Sequence, residues 1–434
     1  MSSRIGVGLT DGSAQIRCRM FGRFGRTLAI PDLRRLVFST TISQLGDRLT
    51  HMLLISLIAL SRPGSLLGYS EGALAFALPT LLLSPFVGVL VDRWDKRRVL
   101  AVTHFIQTGI LLVTPLLITL SGSFVPFWIA LFLFFGLDVF NNTAHPALLP
   151  ALVPEDHILA ANSVNLTFAR AATVVGMVVG GYLIRWVGWK LGIMIDASTH
   201  LVAGLLALSI ATRLGGKPAA PVSGEIRSAL PRFFGELREV LQLVGRNRLV
   251  ALVLGSIVAS TFVSAVAYTV LIFLVQQKLG LGTAGVGLFT GIIAVGMIAG
   301  AASMSALPQN VNRPLVVVGV VILFGVLFVA GWFHVSVPFL AVVALVVGVA
   351  YSWLGVVQNT ILQEQVSPGI RGRIFSTHSV ITNATFITTT LLIGALGELT
   401  SYRLVFPVAG LMLVAAGAAG LVFVRRTTGL KPAI

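Results

Sequence analysis

Two apolar runs, each long enough to cross a lipid bilayer, flank a turn that no bilayer could hold. From about Tyr69 to Val91, and again from Val99 to about Leu120, the chain is almost free of charge. Between them, Asp92-Arg93-Trp94-Asp95-Lys96-Arg97-Arg98 places six charges in seven residues. A helix of about 20 apolar residues spans a hydrocarbon core of ~30 Å, and ionised side chains at its centre cost about 2.5–3.5 kcal/mol each. The pattern predicts an aqueous turn between two membrane helices.

The same kind of run recurs along the chain. Segments are expected at about 36–60, 70–91, 99–120 and 124–142, then a fifth ending near 187, and further ones at about 191–212, 249–277, 284–306, 315–333, 337–360, 374–397 and 404–424, twelve in all. The connection from His145 to Asp156 carries Pro146, Pro150 and Pro154 and breaks the helical pattern. With 56% hydrophobic and 11% charged residues, the chain could not cover the surface of a soluble domain. Its apolar runs exceed the length of barrel strands, so the fold class is an all-α membrane protein.

Charge sets the expected orientation. Of the 31 Lys and Arg, 24 fall in segments on one side of the twelve-segment scheme, and five (Arg62, Arg185, Lys190, Lys278 and Arg403) fall on the other. Cytoplasmic loops carry the excess of basic residues, which places both termini in the cytoplasm of a cell whose inner membrane the protein spans. The net charge of +16 is then explained by orientation and anionic headgroups rather than by nucleic acid. The single cysteine, Cys18, is expected to be an unpaired thiol in a basic tail, and no cleaved signal peptide is expected.

The two halves read as one unit repeated. Arg35-Leu36-Val37 recurs as Arg248-Leu249-Val250, Gly72 and Phe76 recur as Gly285 and Phe289, Gly88 matches Gly300, and Arg98 matches Arg313. The expected domains are a basic tail (1–35), a six-helix bundle (36–213), a cytoplasmic linker with an amphipathic helix (214–247), a second bundle (248–425) and a tail (426–434). In that linker Phe233, Phe234, Leu237, Val240, Leu241 and Val244 recur at helical spacing. The expected architecture is twelve transmembrane helices in two pseudo-symmetric six-helix bundles.

Three acids lie inside apolar segments: Asp47, Asp138 and Asp196. Such acids need partners or a water-filled path. Asp47 and His51 are four apart on the first segment, and Asp196 and His200 repeat the spacing on the sixth, which puts each pair on one helical face. A carboxylate beside an imidazole is a proton carrier in prospect; local capping and simple packing are the bland alternatives. Arg170 is the expected partner of Asp138. Gly176, Gly180 and Gly181 permit close helix approach. In the charged turn, Asp92 is expected to face the eleventh segment and hold that side shut, with Arg93, Lys96, Arg97 and Arg98 anchored to headgroups and to Glu155 or Asp156; a plain positive-inside anchor is the alternative.

Gly88-Val-Leu-Val-Asp92-Arg93-Trp-Asp95-Lys96-Arg97 resembles the signature of the major facilitator superfamily between its second and third helices, G-x-L-a-D-R-x-G-[RK]-[RK]. Asp95 stands where most members have Gly, a variant of the drug-exporter branch that includes siderophore and macrolide exporters. Ser43-Gln44-Leu45-Gly46-Asp47, the run from Pro150 to Asn162, and Gln363 through Arg371-Gly372-Arg373 look like the same branch. Gly176-Met-Val-Val-Gly180-Gly181 resembles the antiporter motif G-P-x-x-G-G, with Met177 in place of the proline. Lysophospholipid transporters share parts of this pattern, and Gly46-Asp47-Arg48 with His51 is similar to the first helix of ferroportins, where Asp and His bind divalent metal.

The resemblance implies secondary transport: proton-coupled export of a lipophilic or amphipathic small molecule by alternating access. Lysolipid translocation, divalent metal export through Asp47 and His51, and a non-transporting membrane sensor are the alternatives. No G-x-x-x-x-G-K-[ST], H-E-x-x-H or G-x-S-x-G occurs, so no enzyme activity and no cofactor are expected. The partners expected are the small molecule, protons and membrane lipids, with the protein a monomer.

Overall fold

The computed structural model describes residues 27–211, 247–305, 312–365 and 368–428, together with 231, 235, 238–240 and 242–245. The expectations for the first 26 residues, Cys18, most of the linker and the last six residues lie outside the described set. So do those for the side chains of Arg371 and Arg373.

Every regular element among the described residues is helical. The long helices are α1 (Pro31–Ser61), α2 (Leu66–Arg93), α3 (Lys96–Ser121), α4 (Val125–Leu148), α5 (Ile158–Leu208), α6 (Arg248–Phe273), α7 (Gly282–Ser305), α8 (Arg313–Phe333), α9 (Val337–Gln365), α10 (Pro368–Leu399) and α11 (Tyr402–Thr428). Ten of them contain stretches long and apolar enough to cross a membrane. The more polar α1, at 31 residues, is long enough as well.

α5 runs for 51 residues, about 75 Å at 1.5 Å per residue, which is too long for one crossing. It reverses at Gly188, whose φ of 76° is open to glycine at little cost. Its two limbs make α5 two crossings, so the described helices provide twelve.

Local chemistry fixes the ends of these helices. α1 starts at Pro31, a turn before the apolar run begins, because proline at the first helical position is preset for the helix. Asp95 caps α3 by accepting the backbone N–H of Arg98 at 3.2 Å, and Asn247 caps α6 through Leu249 and Val250. The three-proline connection stays largely helical. α4 continues through Pro146, and short 3₁₀ turns follow at Leu149–Leu152 and Glu155–His157. α6 ends in a π-turn, Leu274–Lys278.

One end of the molecule carries the 92–98 turn and is called the charged end; the opposite one is the far end. The buried apolar residues divide unequally between them. Toward the far end a single core joins both halves, from Met52, Leu54 and Tyr69 across to Val266, Phe273 and Phe289. Toward the charged end there are two separate cores. One, around Leu36, Val91 and Leu148, belongs to α1–α5; the other, around Val253, Phe324 and Leu354, belongs to α6–α11 and takes in Val240 of the linker. The halves are welded at the far end and parted at the charged end.

Glycines make the weld. A Cβ on Gly394 of α10 would lie 2.1 Å from Ser70 Oγ on α2, and one on Gly287 of α7 would lie 2.5 Å from the Met177 carbonyl oxygen on α5. Backbones this close need glycine.

Candidate functional site

The first half encloses a buried polar cluster. Gly46 is its cause: a Cβ there would come within 2.6 Å of Asp196 Oδ1 and 3.0 Å of His200 Nε2, so only glycine lets α1 settle against the second limb of α5. Gly204 performs the same service toward α3, where an added Cβ would meet Phe105 at 2.9 Å. Through these contacts His200 Nε2 comes 3.5 Å from Asp196 Oδ1 and 3.7 Å from Asp47 Oδ1. Asp196 and His200 are fully buried, whereas Asp47 retains 13% exposure. The Thr50 hydroxyl donates to Asp196 Oδ2.

The cluster continues along hydrogen-bonding side chains of α3 and α4. His200 Nδ1 meets His104 Nδ1 at 3.4 Å, and His104 Nδ1 lies 3.1 Å from Gln107 Oε1. The Gln107 amide donates to Asp138 Oδ1 at 3.3 Å, and Asn141 donates to Gln107 Oε1 at 3.3 Å. Asp47, His104 and Asp138 share a cavity of about 100 Å³ with Ser39, Ser43 and Asn165. Arg48 follows Asp47 on α1, its buried Nε without a hydrogen-bond partner.

The expected pairs are rearranged. No ion pair joins Asp47 to His51. The His51 ring packs on Phe76 and Phe135, with centroids 5.0 and 5.1 Å away, while Asp47 turns to His200. Helical spacing permits a neighbour on the same helix; the closer approach of α5 supplies another. Arg170 is exposed on the first limb of α5, and Asp138 takes its hydrogen bond from Gln107 instead. Among the described residues no three His, Cys, Asp or Glu side chains converge as a metal-binding group.

Where the halves meet, rings from both face one another. Phe76 of α2 lies 5.5 Å from Tyr268 of α6 and 5.7 Å from Phe386 of α10, and Tyr268 lies 5.8 Å from Phe386. All three rings are partly exposed, and the buried Tyr268 hydroxyl has no hydrogen-bond partner. Above this floor, toward the far end, the Tyr69 hydroxyl donates to Gln276 Oε1, and the Ser65 hydroxyl donates to Glu398 at 3.3 Å. The π-turn in α6 brings Gln276 and Gln277 to Tyr69.

The charged turn binds mainly to its own half. Lys96 Nζ donates to the Asp92 carbonyl at 2.7 Å, and Arg97 donates to the Ile210 carbonyl at 2.7 Å. Asp92 and Arg98 are exposed. Gly88 has nothing within 4 Å of the place a Cβ would take, so its face of α2 is open in this conformation. Arg93 lies beside Arg98 at the rim of a groove between α3 and α4. Gly176 and Gly180 receive Arg48 and Leu49 of α1, and Gly181 receives Thr283 of α7.

His104, Gln107, Asn141, Tyr69, Tyr268 and Phe386 were not singled out by the sequence. The available signal was weak: neutral polar residues three and four apart in an apolar run, such as His104, Gln107 and Thr108.

Comparison with known proteins agrees with this architecture. The profile of the Major Facilitator Superfamily matches residues 36–317 and 252–433. The chain is 28% identical over 354 residues to a protein named as a bacilysin exporter, BacE, of Bacillus amyloliquefaciens, covering 80% of this chain and 84% of that one. It is 25% identical over 332 residues to macrolide efflux protein A of Streptococcus pyogenes, covering 73% and 77%. Its fold matches the peptide transporter POT at a TM-score of 0.71 and 14% identity, over 91% of this chain and 94% of that one. It also matches a bacterial homologue of the iron transporter ferroportin in an inward-facing state, at a TM-score of 0.65 and 16% identity, over 91% and 98%. Identities this low speak for the fold alone.

Proposed function

Because the chain belongs to the major facilitator superfamily, we propose that this membrane transporter exports a lipophilic or amphipathic small molecule in exchange for protons. The charged end is cytoplasmic by the distribution of basic residues, and the arrangement described is then inward-facing. The substrate enters from the cytoplasm or inner leaflet and meets the ring floor of Phe76, Tyr268 and Phe386. Rocking of the two halves opens the far end while the 92–98 turn and Gly88 close the cytoplasmic side. In that second state Asp92 faces α10.

One observation carries the proton assignment. Two carboxylates, Asp47 and Asp196, flank a single imidazole nitrogen of His200 at 3.7 and 3.5 Å, with Asp196 and His200 fully buried. Ionised groups at that depth are expensive unless paired, so the cluster favours holding a proton, and Asp47 at the cavity edge is where the proton enters and leaves. Asp138 is the second cavity acid. The exporter names of two relatives support outward transport as the direction.

The experiment is flux in proteoliposomes containing a pH-sensitive dye, with candidate amphiphiles, lysolipids and divalent metals added in turn. Amphiphile movement that changes the luminal pH in wild type, and not in Asp47→Asn, supports the reading. Lysolipid or metal movement without proton flux replaces it.

A further inference from the structure

Three polar side chains around the ring floor have no hydrogen-bond partner among the described residues. His51 of α1 packs edge-on against Phe76, with 5.0 Å between ring centroids, and tilted against Phe135 at 5.1 Å. No hydrogen bond or ion pair reaches its imidazole from the described residues. The Tyr268 hydroxyl of α6 and Thr382 Oγ1 of α10 are buried without a partner. Thr382 lies one turn from Phe386, on the same face of α10.

These groups gather about one ring. Phe76 lies against His51 on its own half and against Tyr268 and Phe386 on the other. Phe135, 4% exposed, backs His51 from α4, whereas His51, Phe76, Tyr268 and Phe386 are each partly exposed. The open part of the imidazole therefore borders the floor. An imidazole keeps at least one N–H in either protonation state, and a tyrosine or threonine hydroxyl donates as well. The neighbouring carboxylates are engaged elsewhere, Asp47 toward His200 and Asp138 with Gln107. We propose that His51 binds substrate directly, donating a hydrogen bond to an uncharged acceptor oxygen, the carbonyl of a ketone, ester or amide, on a flat apolar body that packs on Phe76.

Tyr268 and Thr382 are the matching donors on the second half. Buried polar groups without partners are costly, and a ligand oxygen reaching them as the halves rock removes that cost. Contact with both halves gives the substrate different affinities for the two states, which is what drives rocking. The inference rests on the ring floor being the substrate site and adds what the substrate must carry. Aromatic rings alone accept any flat apolar molecule; the donors select one with an acceptor.

The test compares fluorenone with fluorene, flat probes of the same shape that differ by the carbonyl oxygen. Both are tritiated and bound to the purified full-length protein in lipid nanodiscs, with uptake by empty nanodiscs subtracted. Wild type is expected to bind fluorenone roughly fivefold tighter than fluorene. His51→Phe, which keeps a ring against Phe76 and Phe135, is expected to bring the two affinities within about twofold by weakening fluorenone. Tyr268→Phe is expected to reduce the preference about twofold. Equal affinities in wild type, both weakened in Phe386→Ala, overturn the His51 assignment while leaving the ring floor as the substrate site. An undiminished preference in His51→Phe overturns it too. Binding of neither probe, or fluorene binding that Phe386→Ala leaves unchanged, overturns the ring floor and this proposal together. His51→Leu, which also removes the donor, carries the test if His51→Phe fails to fold.

Discussion

His200 Nδ1 lies 3.4 Å from His104 Nδ1, so the helix carrying the buried Asp196 is joined, imidazole to imidazole, to a helix that lines the polar cavity. Two ring nitrogens at this distance are compatible with one proton between them, one ring donating and the other accepting. Gln107 Oε1, an acceptor 3.1 Å from the same His104 nitrogen, keeps a proton on His104 Nδ1, and that one N–H is shared between Gln107 and His200. His200 then accepts at Nδ1 and presents Nε2–H toward Asp196 and Asp47. Beside the direct route through Asp47, the pair offers a second path from the sealed Asp196 to the cavity that His104 lines.

His104→Gln therefore slows proton-driven transport by roughly tenfold or more, while substrate counterflow under equal pH stays within about twofold of wild type. Counterflow needs substrate binding and rocking but no net proton movement, so the two assays together separate a relay role from a structural one. Equal loss in both assays would make His104 a packing residue.

Substrate affinity is expected to respond to the ring floor. Phe386→Ala removes one face of the Phe76–Tyr268–Phe386 group and is predicted to weaken binding of an aromatic amphiphile about tenfold. Tyr268→Phe keeps the ring and loses the unpartnered hydroxyl, which costs about three- to tenfold if that hydroxyl bonds substrate. Quenching of intrinsic fluorescence by titrated amphiphile measures both.

Far-end closure depends on Gly394. With Ser70 Oγ 2.1 Å and Leu67 Cα 3.2 Å from the place of its missing Cβ, Gly394→Val cannot keep α10 against α2. The variant is expected to favour the state open at the far end. Spin labels placed at the far ends of α2 and α10 should report a longer mean distance than in wild type.

Gly46→Ala tests the joint beneath the acid cluster. Its methyl would stand 2.1 Å from Thr199 Oγ1 and 2.6 Å from Asp196 Oδ1. Overpacking of this kind costs about 1–3 kcal/mol, visible as a lowered unfolding temperature in detergent, together with weakened proton coupling. Gly88→Ala, with nothing within 4 Å, should leave the unfolding temperature unchanged.

The fold was legible because hydrocarbon leaves so little choice. Long uncharged runs broken by Asp92–Arg98 and by the basic stretches had to be helices joined by aqueous turns. Gly188 turns the chain between the fifth and sixth crossings, where the sequence had placed a break between about 187 and 191. The acids were legible too, since a carboxylate in an apolar run stands out. Their partners were not. Four-residue spacing offered His51 to Asp47, but Gly46 draws α5 close enough for His200 to approach Asp47. Arg170 was paired with Asp138 on charge alone, yet it is exposed on its limb of α5. His104 and Gln107 carry no fixed charge, and their importance appears only once α3, α4 and α5 are packed. The ring floor needs both halves in place, and no local pattern announces it.

The central claim is that the Asp47–His200–Asp196 cluster couples proton movement to export. The most direct measurement imposes a pH gradient across proteoliposomes of known orientation and follows the concentration of a fluorescent amphiphilic cation on each side. Wild type is predicted to concentrate it against its own gradient, while Asp47→Asn only equilibrates it. Accumulation by Asp47→Asn at the wild-type level, or accumulation by wild type that ignores the imposed gradient, would contradict the account.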